Sequence, residues 1–263
     1  MLPSSASGLG GRVRIELRPA RVGFERRGGF PRSRVLSTRV IEVEPAQSDG
    51  ETGGEPWRAS LTALSAGVRE QGAPLGRVDV VLSDHFVRYA LIPWSESLVS
   101  DSERLSFARL SLREVYGHLS DAWDLSLDQQ PAGEASFACG VDRALIVGLR
   151  DLVSLGGGKL ESVTPALADC LNRHRRALNE PEFCLATAEP GRITLAFRSR
   201  VGWQAVRSRR VDGPLQETLP SLLKQEAVAG AAPDGGVLYL CTTNLADVPP
   251  FAVPGWKLVR VAA

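Results

Sequence analysis

The sequence feature that most constrains the fold is an order of elements that occurs twice. The segments 13–83 and 181–242 each predict three strands, then a helix, then a fourth strand. In the first segment, apolar residues alternate with charged ones from Val13 to Leu17, and a helical spacing of apolar residues begins after Pro56. The two segments have negligible sequence identity, so the repeat is one of topology.

The second segment predicts the same five elements. The strand-like runs EFCLATA and RITLAFRS flank Glu189-Pro190-Gly191, which is a turn signal. A third strand follows, an amphipathic helix is predicted from Pro214, and GVLYLCT completes the order. The same five elements are therefore expected in both halves of the chain.

The stretch that follows the first unit is VDVVLSDHFVRYALIPW, Val78 to Trp94. It predicts a central strand, a short turn, and a second strand at Phe86–Ile92 that pairs beside the first. We expect the side chains of Tyr89 and Trp94 to support the core.

A helix is predicted after this stretch. Ser100 and Glu103 form a capping-box signature at its start. The apolar stripe expected to face the core runs through these residues: Leu105, Ala108, Leu112, Val115 and Leu119. Strands at 122–128 and 135–141, a helix after Asp142 and further elements lead into the second unit.

These elements carry a family resemblance. The runs VDVVLSDHFVRYALIPW, ARLSLREVYG and FACGVDRALIVGLRDLVSLGGGKLESVTPALADCLNR resemble the cytoplasmic actin-like proteins of type IV pilus and type II secretion machines, the PilM and GspL type. The likeness covers roughly residues 12–243, is strongest over 78–172, and rests on the order of elements and the apolar pattern.

The resemblance implies an α/β protein with a duplicated ribonuclease-H-like, actin-like ATPase fold, in which each lobe is built on a βββαβ unit. The expected division is a disordered tail at 1–11, a first lobe with connecting helices at 12–165, and a second lobe at 166–263. Such proteins usually hold a nucleotide in the cleft between lobes, but a fold alone does not establish that function.

The first phosphate-binding loop of the family is altered in this chain. Nucleotide-binding members follow the first strand with Asp-x-Gly-Ser/Thr, because a carboxylate organises magnesium and bare amides approach the phosphates. Here Glu16 stands in the place of the Asp, Arg18 in that of the Gly, and Pro19 in that of the Ser. Arg18 hinders close approach of the backbone, and Pro19 has no amide hydrogen to donate.

The second unit departs in the same way. Thr187 and Ala188 take the place of the acidic residue and the glycine, and Pro190 again removes a donor. The sequence CTTNLAD, which begins at Cys241, lacks the Gly-Gly turn expected for adenosine. We therefore expect no catalytic residue and no bound cofactor, and the hypothesis is a pseudo-ATPase.

Two enzyme-like or switch-like alternatives stay open. A nucleotide-binding switch would use unconventional contacts from the basic runs at 174–176 and 207–210. A ribonuclease-H-like nuclease would place metal ions on Glu16 and Asp84. Against the nuclease, Glu16 lies between two arginines on one strand face and is expected to pair with them, and Asp84 is expected to shape the following turn.

Composition and charge argue against several other classes. The formal net charge of +1 does not require nucleic acid or an anionic bilayer, and aromatic residues make up only 6%. The four cysteines have no C-x-x-C pair and are expected to be core thiols, and the three histidines lack the spacing of a zinc site. No metal is expected.

The expected location and partners follow in part from the resemblance. The sequence has neither a secretion signal nor a run of about 20 apolar residues, so a cytoplasmic protein is expected, held at the inner face of the inner membrane by its partners. GspL-type proteins continue into a membrane helix, which favours the PilM-like form here. The resemblance implies binding to other platform subunits: the cytoplasmic tail of an inner-membrane protein or the assembly ATPase.

Overall fold

The computed structural model describes residues 11–29, 34–44, 55–98, 100–230, 232–242 and 248–262. The expected tail at 1–11, apart from Gly11, lies outside these residues, as do residues 45–54, which precede the predicted first helix. The described parts of Met1–Phe86 and Ala144–Thr164 form one compact unit, and those of Val87–Arg143 and Pro165–Ala263 form a second.

The first unit is built on a five-stranded sheet with the order β3-β2-β1-β4-β8. Its elements are β1 (Arg12–Arg18), β2 (Arg21–Gly28), β3 (Arg34–Glu42), α1 (Arg58–Arg69), β4 (Gly76–Leu82), α3 (Arg143–Leu155) and β8 (Gly158–Pro165). Strands β1 to β3 are consecutive antiparallel neighbours, and β1 runs parallel to β4. Helix α1 packs on this sheet, with Gly67 so close to Phe24 and Ile41 that an added Cβ would collide with them.

The second unit repeats this topology. Its five-stranded sheet has the order β11-β10-β9-β12-β13, with β9 antiparallel to β10 and parallel to β12. Its elements are α4 (Ala166–His174), β9 (Phe183–Glu189), β10 (Arg192–Ser199), β11 (Gly202–Arg210), α5 (Leu215–Val228), β12 (Gly236–Thr242) and β13 (Trp256–Ala262). The βββαβ order predicted from the sequence is confirmed in both units.

A smaller sheet belongs to the second unit. It has the order β5-β7-β6, from β5 (Val87–Ile92), β6 (Trp123–Leu127) and β7 (Ser136–Asp142), and helix α2 (Asp101–Tyr116) packs against it. Phe137 packs against Trp203 of β11 with ring centroids 4.6 Å apart. This contact lies within the second compact unit, which includes Val87–Arg143.

The expected pairing of Phe86–Ile92 beside β4 is wrong. A 3₁₀ turn at Asp84–Phe86 follows β4, and β5 then pairs antiparallel with β7. The physical reason lies in the sheet order, because both edges of β4 are already occupied by β1 and β8. The stretch therefore connects two sheets and is not a hairpin.

Two expectations about the core also need correction. In α2 only Ala108 and Leu112 are buried, whereas Val115 is 71% exposed, and Leu119, in the 3₁₀ helix that follows α2, is 68% exposed. Trp94 is 39% exposed and is not a core residue, although Tyr89 does pack against the apolar cluster of the second unit. The capping box is confirmed: the Ser100 side chain accepts from the Glu103 backbone, and the Glu103 carboxylate accepts from the Ser100 backbone.

Candidate functional site

The β1–β2 turn is where the first phosphate loop of an actin-like protein is expected. Arg18 pairs with Arg21 in the antiparallel register, so the turn between the strands consists only of Pro19 and Ala20. A proline has no amide hydrogen, so Ala20 is the one residue of the turn that can offer an N–H. A phosphate cradle needs several backbone amides directed at the same point, which this turn lacks.

The side chains around this turn contact one another. The guanidinium of Arg18 is buried and lies 3.3 Å from the carboxylate of Glu16, whose other oxygen is 3.5 Å from Arg14. Glu16 is thus flanked by two arginines, as the sequence predicts. This arrangement keeps the Glu16 carboxylate engaged within the strand.

The carbonyl groups of the turn and of the two residues before it accept hydrogen bonds from the rest of the unit. The Ser83 amide donates to the Leu17 carbonyl oxygen at 2.9 Å, and the Ser60 hydroxyl donates to that of Arg18 at 2.8 Å. The Val43 amide donates to the Ala20 carbonyl oxygen at 2.8 Å. The turn is therefore fixed from three sides. The role of Ser60 had no signal in the sequence, because it depends on where α1 packs.

The β9–β10 turn is the corresponding site of the second unit. Glu189 pairs with Arg192, so this turn also has two residues, Pro190 and Gly191. Gly191 has a φ of +77°, which a glycine adopts without strain in a turn of this kind. The Gly191 carbonyl oxygen accepts from the Val211 amide at 3.1 Å. The proline again removes one of the two amides.

Thr187 lies inside β9 and not in the turn. It is buried and pairs with Thr194 on one side and with Cys241 on the other. A hydroxyl carries no charge at neutral pH, so Thr187 cannot replace the carboxylate that organises magnesium in nucleotide-binding relatives of the fold. Residues 243–247, where the adenosine turn was considered, lie outside the described part of the chain.

Glu16 and Asp84 of the nuclease alternative, and two arginines of the nucleotide-binding alternative, have structural partners or roles. Glu16 pairs with arginines, and Asp84 is buried at the first position of the 3₁₀ turn after β4, as expected for a turn-shaping residue. In the basic run at 207–210, Arg207 and Arg209 both contact the carboxylate of Glu226 on α5, at 3.2 and 3.1 Å.

Glu226 itself is a residue whose role the sequence analysis missed. Its side chain is only 6% exposed, and its two arginine contacts hold α5 against β11. The available signal was a glutamate in the apolar stripe of a predicted helix, since such a position needs a paired cation.

The cysteines are structural. Cys170, Cys184 and Cys241 are buried, and Cys139 is half-buried. A hydrogen bond with Cys241 and burial raise the pKa of Cys170, and burial raises that of Cys184. A raised pKa keeps the thiol protonated and unreactive at neutral pH. Within the described residues, no group of three His, Cys, Asp or Glu side chains could hold a metal ion.

Comparisons with known proteins establish the class of fold. No protein-family model matches the chain, and a search of curated proteins finds no match. Among solved structures, a Bacteroides thetaiotaomicron protein with an actin-like ATPase fold and unknown function has a TM-score of 0.61 and 12% identity, over 98% of this chain and 94% of that one. This chain therefore has the actin-like ATPase fold, and the predicted fold class is confirmed.

The more particular similarity is to two assembly-machine proteins. The PilM–PilN type IV pilus biogenesis complex gives a TM-score of 0.66 at 14% identity, over 95% of this chain and 88% of that one. The cytoplasmic domain of EpsL, an inner-membrane component of the Vibrio cholerae type II secretion system, gives 0.56 at 14%, over 95% and 90%. In fold, the chain is PilM-like and EpsL-like, as the sequence resemblance predicts.

The helices of the described residues were also compared with the requirements of a membrane span. None of them is both long enough and apolar enough to cross a bilayer.

Proposed function

We propose that this protein is a non-catalytic, actin-like scaffold of a type IV pilus or type II secretion-like assembly platform at the inner membrane. It acts by binding other platform subunits, and it neither hydrolyses nor requires ATP. Its principal partner is the cytoplasmic tail of an inner-membrane protein.

The similarity of fold supports the platform. The PilM–PilN complex and the EpsL cytoplasmic domain both match this chain over 95% of its length; the first is a type IV pilus biogenesis complex, and EpsL is an inner-membrane component of a type II secretion system. A similarity at 14% identity supports a shared fold but does not identify a binding partner, so the choice of partner is part of the proposal.

The observation that carries the non-catalytic part is the pair of proline-containing turns. In the first unit Pro19 removes an amide, and Arg18, whose buried side chain lies 3.3 Å from Glu16, stands in the place of the glycine that would let the backbone approach a phosphate. In the second unit Pro190 removes an amide from an equally short turn. Nucleotide phosphates are held in this fold by such amides, so losing one from each turn weakens both sites.

The electrostatics of the first turn support the same proposal. Binding a Mg-triphosphate would require Glu16 to exchange its arginine partners for a magnesium ion. The basic run at 207–210 offers little compensation, because Arg207 and Arg209 are engaged with the buried carboxylate of Glu226.

The proposal can be tested by capture followed by titration. The purified chain would be immobilised and used to capture detergent-solubilised inner-membrane proteins, and the cytoplasmic tail of the captured platform protein would then be synthesised and titrated against the chain. We expect saturable binding of that peptide with the same dissociation constant in the presence and absence of Mg-ATP.

Two results would contradict the proposal. A dissociation constant that changed with nucleotide would favour the nucleotide-binding switch. Saturable ATP hydrolysis by the purified chain, abolished by Glu16→Ala, would make it an enzyme. Glu25→Ala is the matched control for that variant, since Glu25 lies on β2, outside the turn, and pairs with Arg27 there.

A further inference from the structure

One end of the first sheet carries a row of three arginines. Arg12, at the start of β1, is opposite Arg27 of β2 on one side and opposite Arg77 of β4 on the other. Residues that are opposite each other have their side chains on the same face, and neighbouring strands lie about 4.8 Å apart. Like charges in such positions are unfavourable, so this row needs anions nearby.

Other elements of the first unit add cations at the same end. β8 begins here, since Gly158 lies against the Gly76 carbonyl group, and its second residue is Lys159. α1 ends here, because the segment that follows it accepts hydrogen bonds from Arg26 of β2, and its last residue is Arg69. We call the following six residues the basic end: Arg12, Arg26, Arg27, Arg69, Arg77 and Lys159.

The neighbouring carboxylates do not neutralise the basic end. Three carboxylates contact its members: Asp79, Glu25 and Glu161. Glu161 is shared, at 3.9 Å from Arg77 and 3.1 Å from Lys159. Glu70, at the end of α1, pairs with Arg39 and leaves the balance unchanged. Six cations with three carboxylates give a net charge of +3.

This charge is exposed. The side chains of Arg12, Arg77 and Lys159 are 58%, 66% and 81% exposed. Residues 1–10, which precede β1, and 30–33, which lie between β2 and β3, contain one arginine and no acidic residue. These two segments therefore supply no negative charge to the basic end.

Two exposed leucines adjoin the basic end. Leu155, the last residue of α3, is 65% exposed. It lies at this end because the Leu75 amide, just before β4, donates to the Gly156 carbonyl oxygen at 3.0 Å. Leu36 of β3 is also 65% exposed and lies close to Gly28 at the end of β2. Cations beside exposed apolar side chains are typical of surfaces that bind the interface of an anionic bilayer.

The corresponding end of the second sheet lacks such a row. Phe183, the first residue of β9, is opposite Arg198 and Val237. It packs against Trp203, and Arg198 contacts Glu134 at 3.1 Å. The row of arginines is therefore a property of the first unit and not a requirement of the topology that both units share.

We propose that the basic end binds the surface of a bilayer that contains anionic phospholipids. Its guanidinium groups hydrogen-bond the headgroup phosphates, and Leu36 and Leu155 contact the apolar boundary below them. A bilayer fits better than a single acidic segment, because the cations extend over four neighbouring strands, from Arg27 to Lys159. The inference goes beyond the proposed function, in which the chain acts by binding other subunits.

The test is co-sedimentation of the purified chain with lipid vesicles over a series of lipid concentrations. We expect binding to vesicles of phosphatidylcholine mixed with phosphatidylglycerol and none to phosphatidylcholine alone. Raising the ionic strength from about 0.1 M to about 1 M shortens the screening length from about 10 Å to about 3 Å and should weaken binding about tenfold. No protein partner is present, so failure here is distinct from failure of the proposed platform function.

Charge-removing variants locate the lipid contact. Three exposed cations of the basic end are replaced one at a time and together: Arg69→Gln, Arg77→Gln and Lys159→Gln. Each change should weaken binding to the anionic vesicles about fivefold, since a basic side chain near such a surface contributes about that factor. The matched control is a triple variant of exposed cations in the second unit: Arg176→Gln, Arg200→Gln and Lys224→Gln. It should bind like wild type.

The apolar contact is tested at two exposed helix ends. Leu155→Ser should weaken binding to the anionic vesicles about tenfold, because its side chain no longer gains from leaving water. Val228, the last residue of α5, is 83% exposed and lies in the second unit, so Val228→Ser is the matched control and should have no effect. Circular dichroism should show all of these variants folded, since every replaced side chain is exposed.

Three outcomes would overturn the proposal. The first is no binding to anionic vesicles at low ionic strength, which would leave the basic end to an acidic protein. The second is a triple variant of Arg69, Arg77 and Lys159 that binds as tightly as wild type, which would place the lipid contact elsewhere. The third is an equal loss in the control triple variant, which would mean that net charge alone attracts the chain.

Discussion

The two five-stranded sheets have the same topology but different surroundings. Every residue of β9 is buried, whereas in β1 buried and partly exposed residues alternate from Val13 to Leu17. The second sheet lies between two apolar clusters: one includes Leu219, Leu222 and Leu223 of α5, and the other includes Leu167 and Cys170 of α4. The first sheet has one apolar face, and its other face carries ion pairs such as Arg12–Asp79 and Arg14–Glu16.

The two proline turns show how closely the backbone is repeated. Val43 donates its amide to Ala20 in the first unit, and Val211 donates its amide to Gly191 in the second. The residue after the third strand thus fixes the second residue of the turn in both units. The topology places the two turns equivalently, but their side chains decide what each turn can bind.

The largest expected effect is the loss of unfolding free energy when a buried phenylalanine is truncated in either five-stranded sheet. Phe24 of β2 and Phe197 of β10 are both buried, and Phe197 belongs to the cluster shared with α5. Truncating a buried phenylalanine costs about 3–5 kcal/mol of unfolding free energy. We expect Phe197→Ala to lie at the upper end and Phe24→Ala at the lower end, because the more exposed strands around Phe24 can relax.

Urea unfolding followed by circular dichroism would measure both variants. A larger loss for Phe24→Ala than for Phe197→Ala would mean that the difference in burial between the sheets does not determine their stability.

The next largest effect is the loss of stability when an arginine-paired carboxylate of either unit, Glu226 or Glu16, is neutralised. Glu226→Gln removes a charge that is paired with two arginines and 6% exposed, and it should cost about 2 kcal/mol, since its arginines can regain water when the pair is lost. Glu16→Gln is the counterpart on the polar face of the first sheet. Its carboxylate is 27% exposed, so the expected loss is below about 1 kcal/mol.

The same unfolding experiment compares them, with the Arg207→Ala/Glu226→Gln double variant as a control for the pair. If Glu16→Gln proved as costly as Glu226→Gln, the first sheet would depend on its polar face far more than the geometry indicates.

The smallest expected effects are changes in folding stability with pH that arise from one aspartate in each unit. Burial alone would raise the pKa of Asp79, but hydrogen bonds from Arg12 and Ser162 outweigh it and lower the pKa below its usual 3.8. Its stabilising contribution is therefore present above pH 3.8 and is lost as the pH falls through the lowered value. Burial raises the pKa of Asp128 despite hydrogen bonds from Gln130 and the Phe137 amide, so its contribution is present below 3.8 and is lost as the pH rises through the raised value.

Thermal melts between pH 3 and 7 would separate these signs. Relative to wild type, Asp79→Asn should be less stable at pH 7, and the difference should shrink toward pH 3. Asp128→Asn should be at least as stable as wild type at pH 7, and it should lose that advantage toward acid. A destabilised Asp128→Asn at neutral pH would show that the charged carboxylate is favourable there.

The local elements could be predicted from the sequence because their signals are local. The alternation from Val13 to Leu17 identified β1, and Ser100 with Glu103 located the start of α2. The partner of β5 could not be predicted, since strand pairing depends on which edges remain open after the other strands have assembled. The exposure of Val115 and Leu119 was missed for a similar reason: apolar spacing shows which residues share a helix face, but not whether another element covers that face.

For the candidate site, the sequence predicted where the two turns lie but not which side chains contact them. Pro19 and Pro190 identified both turns, because a proline after a strand pattern constrains the backbone wherever the chain folds. The hydrogen bond from Ser60 to the Arg18 carbonyl and the contact of Glu226 with β11 depend on helix packing. No spacing within either segment indicates them.

The central claim is that neither proline turn can hold a triphosphate, and calorimetric titration of the purified chain with Mg-ATP tests it most directly. A parallel thermal unfolding series would cover the same nucleotide concentrations, with Arg18→Ala to remove the buried guanidinium. We predict no saturable heat and no thermal shift for the wild-type chain. A saturable one-site isotherm, together with a stabilisation of about 2.7 kcal/mol at 100 times the measured dissociation constant, would contradict the account.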